Sequence, residues 1–140
     1  MVDEILILRK LAVLEEYASQ IEGFRAITIT EYREDWKSQR IIERTLQMMI
    51  ETCVDISGHI ISDQKQRIPD SYADTFRVLC ENSIMADDLC KTMEKISKFR
   101  NVIVHHYDRV DAKIVIDILR NRIDDFSRYR DAIISWLKEQ

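Results

Sequence analysis

Residues Tyr32–Ile61 read YREDWKSQRIIERTLQMMIETCVDISGHII, a stretch with no proline and one glycine, Gly58. Ile42, Leu46, Met49, Ile50, Cys53 and Ile60 recur at intervals of three, four and seven, the repeat of one face of an α-helix. Charged and polar residues fill most of the positions between them. The spacing predicts an amphipathic helix from about Tyr32 to Ile61, whose apolar stripe must be covered by other elements. Gly58 is its weak point, at roughly 1 kcal/mol against alanine in a helix interior.

The same period continues on both sides. Ile5, Leu8, Leu11, Leu14, Tyr17 and Ile21 predict a first helix over about Val2 to Phe24. Thr28 followed by Glu31 has the spacing of a capping box for the next helix. Beyond Ile61, the polar run Ser62–Asp70 holds the only proline, Pro69, and reads as a loop. Ser71 with Asp74 is a second cap. It opens a short helix over Tyr72 to Glu81 that turns Phe76, Val78 and Leu79 inward. Asn82-Ser83 breaks that helix, and the next covers about Ile84 to His105. Asp108 and Asp111 start a last helix that ends near Lys138, with Ile114, Ile118, Ile123, Phe126, Ile133 and Leu137 on its apolar side. No segment alternates like a half-buried strand, and no repeat or linker divides the chain. The expected architecture is all-α, an up-and-down antiparallel bundle of four long helices and one short helix, in one domain over residues 1–140.

Composition agrees. The 140 residues are 46% hydrophobic and 33% charged, with two glycines and one proline, which leaves long stretches free to be helical. A formal charge of −4 argues against a protein that coats nucleic acid through its overall field, and leaves room for a local basic groove. Cys53, Cys80 and Cys90 are odd in number and widely spaced, and are read as small buried hydrophobes in a reducing compartment. No secretory leader and no apolar run near the roughly 20 residues of a membrane span are found, so the expected location is cytoplasmic. Glycine-rich phosphate loops, HExxH and GxSxG are missing, which weighs against ATPase, zinc-protease and serine-hydrolase chemistry.

The chemistry concentrates in Arg100-Asn101-Val102-Ile103-Val104-His105-His106-Tyr107. Leu89, Met93, Ile96, Ile103 and Tyr107 form one stripe of the predicted helix, and Arg100 falls in the same series. A guanidinium on an apolar stripe needs a carboxylate on another helix, a cleft between subunits or an anionic ligand. Asn101 and His105 are four apart and share a different face, so the asparagine can orient the imidazole. Arg100 and His105 diverge by about 140° on an ideal helix. One straight helix does not aim both at a single phosphate, whereas a two-fold dimer brings two copies of the motif together. Histidine suits proton transfer near neutrality and arginine suits phosphate oxygens. The set therefore fits RNA cleavage by the ribose 2′-hydroxyl, with Arg100 and His105 catalytic and Asn101 orienting. Tyr107 is either a core-edge residue or a contact or modification site. Lys91, Lys95 and Lys98 are either a solvated face or a track for the RNA backbone. His106 reads as exposed or capping, His59 as a surface or packing residue, and neither as a zinc ligand.

Arg100-Asn101, His105 and Tyr107 match the pattern Arg-Asn-x3-His-x-Tyr. With the Ile50–Ile56 helix, the Pro69–Tyr72 entry and Lys98-Phe99 ahead of the arginine, the chain resembles the HEPN superfamily, and within it the HepT-like toxins. The resemblance spans about Glu43 to Leu137. It implies a homodimeric helical bundle acting as a metal-independent endoribonuclease, with no cofactor, in a type VII-like toxin–antitoxin module. It also implies a minimal nucleotidyltransferase antitoxin that adds AMP to Tyr107 and blocks the RNA cleft. A non-catalytic helical module that binds a nucleotide or such a partner is the competing expectation.

Overall fold

Side-chain caps fix where the helices begin. A computed structural model describes residues 2–105 and 110–140. In it Asp3 accepts the Leu6 N–H and starts α1 (Glu4–Glu22). Thr28 and Glu31 form the expected capping box, at 3.1 and 3.2 Å, and start α2 (Ile29–Glu34). The long helix α3 (Trp36–Asp63) follows after a break at Asp35. Ser71 accepts the Asp74 N–H and opens α4 (Tyr72–Glu81). Helix α5 covers Asp87–His105. Asp111 accepts the Lys113 N–H and opens α6 (Ala112–Asp117). A π turn over Ile118–Arg122 carries α6 directly into α7 (Ile123–Lys138). Asp108, the other half of the cap expected there, lies outside the described residues.

Helix α3 packs against α1, α4 and α5, while α7 packs against α1 and α5. The long helices thus close a four-membered ring around one core, and α4 lies along α3 and α5. This is the expected all-α, up-and-down antiparallel bundle. All six stripe residues of α3 are buried, as are Phe76, Val78 and Leu79 of α4 and Leu89, Met93, Ile96 and Ile103 of α5. Among the described residues, no helix is long and apolar enough to cross a membrane.

Three expectations are corrected. The helix expected from about Tyr32 begins earlier and is interrupted. Asp35 is extended (φ −118°, ψ 97°) and at once ends α2 and caps α3, its carboxylate accepting from the Lys37 N–H and the Ser38 hydroxyl. In α1 the buried face is Ile7, Leu11, Leu14 and Ile21, so Ile5 and Leu8 fall on the adjoining face and are exposed; Ile114 of α6 is exposed in the same way. Finally, the Cys80 and Cys90 sulfurs are joined as a disulfide, Cα–Cα 6.4 Å, and only Cys53 is free and buried. The tight turn between α4 and α5 folds these helices onto each other, which no cysteine spacing reveals.

Two polar devices hold the bundle in register. Tyr129 is fully buried; its hydroxyl donates to the Cys53 carbonyl at 2.9 Å and meets Ser57 Oγ at 2.7 Å. That satisfies a polar group whose burial would otherwise be costly, and burial pushes its phenol well above the usual range. Arg67 forks onto both oxygens of Asp74, at 2.7 and 2.8 Å, and pairs with Glu81. It thereby ties the loop before α4 to the helix itself and fixes where Tyr72 emerges. Hydrogen bonds from Arg67, and then the Asp70 N–H, hold the Asp74 carboxyl well below the usual carboxylate range.

Two expected outcomes follow from this packing. A Cβ at Gly58 meets nothing within 4 Å, and α3 runs through this position. Gly58→Ala is expected to stabilise the protein by roughly 0.5–1 kcal/mol in urea denaturation, and a loss would contradict the open space. Asp74 is depressed when folded, so its stabilisation is present above the unfolded carboxylate value of about 3.9 and fades as pH falls below it. Asp74→Asn is therefore expected to be less stable than the parent at pH 7, with the gap narrowing as the pH drops below about 4.

Candidate active site

Helix α5 sorts the candidate residues by side. Leu89, Met93, Ile96 and Ile103 face the core, and Arg100 lies in the same series with its side chain 21% exposed. The carboxylate such a guanidinium needs comes from α3: Arg100 Nε donates to Glu51 Oε1 at 2.8 Å. Gln47, one turn earlier on α3, donates to the same oxygen at 3.3 Å. The Tyr72 ring, from the first residue of α4, lies beneath the guanidinium, 4.9 Å from its central carbon to the ring centroid. Three helices thus converge on one arginine. A cation over an aromatic face is stabilised by the ring's electron-rich face, which adds to the charge-assisted hydrogen bond.

Asn101 and His105 are exposed, one turn apart, with His105 the last residue of α5. They lie on a different side from Arg100, as the five-residue offset requires. The structure therefore brings Arg100 together with Glu51 and Tyr72, while the Asn101–His105 face looks to solvent. Lys91, Lys95 and Lys98 are exposed along α5, with Lys91 at the rim of a cleft of about 320 Å³ that also holds Arg77, Glu81 and Glu94. Tyr107 and His106 lie outside the described residues. His59 faces Asp55 at 3.6 Å, and Asp55 also pairs with Lys10 at 2.5 Å, so that histidine belongs to a polar cluster at the surface. Among the described residues, no three His, Cys, Asp or Glu side chains converge as a bound metal needs.

Glu51 and Tyr72 are the site residues that the sequence reading did not pick out. In the sequence both stand only in the surroundings of the motif. The one local signal for Tyr72 is the Ser71 cap, which places it at the start of α4. Glu51 sits beside the apolar stripe of α3, in a position where a solvated carboxylate is equally ordinary.

Chemically, the arrangement offers a guanidinium fixed at Nε and over one face, with its Nη edge not taken up by those two contacts. It offers a solvent-facing imidazole one helical turn beyond an amide, and a row of lysines on the same helix. Such a set suits an anionic, phosphate-bearing ligand.

Comparison with known proteins gives the site a context. Residues 14–133 match the profile of a family described as ribonuclease HepT-like. The mRNA nuclease HepT of Shewanella oneidensis is 27% identical over 128 residues, covering 91% of this chain and 96% of that protein. The tRNA nuclease HepT of Aphanizomenon flos-aquae is 26% identical over 136 residues, covering 97% of this chain and 92% of that protein. The solved structure of a tri-AMPylated HEPN toxin of Shewanella oneidensis in complex with MNT antitoxin matches with a TM-score of 0.85 at 27% identity, over 96% of this chain and 99% of that one.

Proposed function

The chain belongs to the ribonuclease HepT-like family, and from that premise we propose that it is the toxin of a toxin–antitoxin module, an endoribonuclease that cuts RNA without a metal. The observation that carries this reading is the half-buried Arg100, held by Glu51 and Tyr72 on the helix that also bears Asn101 and His105. Arg100 binds the non-bridging oxygens of the scissile phosphate and stabilises the charge that builds there. His105 takes the proton of the ribose 2′-hydroxyl, or gives one to the departing 5′-oxygen, and Asn101 orients its ring. The 2′-oxygen forms a bond to phosphorus as the bond to the 5′-oxygen breaks. Because Arg100 and His105 point apart, the second histidine comes from another copy of the chain across a two-fold homodimer. Lys91, Lys95 and Lys98 line the approach of the RNA backbone.

Regulation follows the same geometry. A nucleotidyltransferase antitoxin adds AMP to Tyr107, two residues past His105. The added phosphate puts negative charge where the RNA phosphate binds and repels the substrate. AMPylation of a HEPN toxin that matches along almost its whole length supports this reading.

Purified protein is expected to cleave RNA in the presence of EDTA, and Arg100→Ala and His105→Ala are each expected to lower the rate at least about 100-fold. Cleavage abolished by EDTA would contradict metal independence. No cleavage under any condition would favour a binding module. Co-expression with the cognate nucleotidyltransferase is expected to add mass in multiples of AMP on Tyr107, mapped by peptide mass spectrometry. Unmodified Tyr107, or AMP on another residue, would contradict the regulatory reading.

A further inference from the structure

We propose that Glu51 and Tyr72 are positioning residues for cleavage, which hold the Arg100 guanidinium so that its Nη edge is aimed at the scissile phosphate. The inference rests on the ribonuclease reading above and adds to it the residues that act through the arginine.

The geometry has three parts. Arg100 donates through Nε alone to Glu51, at 2.8 Å. That single bond occupies one corner of a planar group carrying five N–H donors, and the two Nη atoms are the ones that match a pair of phosphate oxygens. Tyr72 covers one face of the plane, 4.9 Å away, and so restricts rotation out of it. Gln47 donates to the same Glu51 oxygen at 3.3 Å, which fixes the carboxylate that fixes the arginine.

A salt bridge that served stability alone would need none of this order. An arginine used solely to tie α5 to α3 would do best with a forked, two-bond grip, as Arg67 makes on Asp74. Arg100 instead holds Glu51, its acidic partner among the described residues, at one point, Nε. Its long side chain has many rotamers, and fixing it before the substrate arrives removes an ordering cost from the reaction. Glu51 also accompanies a charge that α5 places on its apolar side, so the guanidinium stays at the rim of the core.

The experiment uses the full chain. Glu51→Gln keeps the size and removes the charge; Glu51→Asp keeps the charge and shortens the reach; Tyr72→Leu removes the ring. For Glu51→Gln, kcat for RNA cleavage is expected to fall about 10- to 100-fold, with KM within about threefold. Tyr72→Leu is expected to lower kcat in the same direction, and Glu51→Asp to recover part of the loss. In an Arg100→Ala background, Glu51→Gln is expected to cost nothing further. The Nε–H resonance of Arg100 in 15N-labelled protein reads the clamp without activity. It is expected to be resolved and slow to exchange in the parent and lost in Glu51→Ala, which removes the acceptor oxygen altogether.

A Glu51→Gln variant with parental kcat overturns the proposal, as does a loss that is undiminished when Arg100 is already alanine. An Nε–H resonance that survives Glu51→Ala overturns the clamp whatever the kinetics show. Parental cleavage by Arg100→Ala removes the ribonuclease role of the arginine instead, and the resonance then still decides whether Glu51 holds it.

Discussion

A guanidinium on the apolar side of a helix cannot be left alone, because an unpaired charge at the edge of a core is costly. Arg100 imposes that condition on the bundle. Its Nε meets Glu51 of α3, and its face meets Tyr72 at the start of α4. The position of Tyr72 depends on the Ser71 cap and on Arg67, which pins the preceding loop through Asp74 and Glu81. A chain of polar contacts therefore runs from the loop before α4 to the motif of α5. The buried stripe of α3 supplies the frame on which those contacts are hung.

The same condition divides α5 into two working sides. Arg100 turns inward to its partners, while Asn101 and His105 face solvent. Residues five apart on a helix diverge by about 140°, so a single chain presents the cation and the imidazole in different directions. The proposed two-fold pair of chains would resolve this by setting one copy of the motif against the other. The proposed chemistry therefore calls for two chains.

Much of this was legible in the residues alone. The caps Thr28–Glu31, Ser71–Asp74 and Asp111 begin helices where their spacing says they should. The stripe Ile42, Leu46, Met49, Ile50, Cys53 and Ile60 is buried throughout. The break at Asp35 was not legible, since one extended residue inside a polar run leaves no mark on an apolar period. Ile5 and Leu8 were misplaced because two overlapping stripes share the spacing of α1. The Cys80–Cys90 pairing and the Glu51–Arg100 bond are tertiary contacts, the latter across 49 residues. Periodicity said that Arg100 needed a partner, and only the packing of α3 against α5 says which carboxylate it is.

The chemistry of the cut ends tests metal-free attack by the 2′-hydroxyl at Arg100 and His105 most directly. RNA cleaved by the purified protein and resolved by mass spectrometry is expected to carry a 2′,3′-cyclic phosphate on one fragment and a 5′-hydroxyl on the other. Those ends result when the ribose oxygen displaces the 5′-oxygen from phosphorus. Fragments bearing a 3′-hydroxyl and a 5′-phosphate would mean that water attacked the phosphate and the 3′-oxygen departed, and would contradict the roles given to Arg100 and His105.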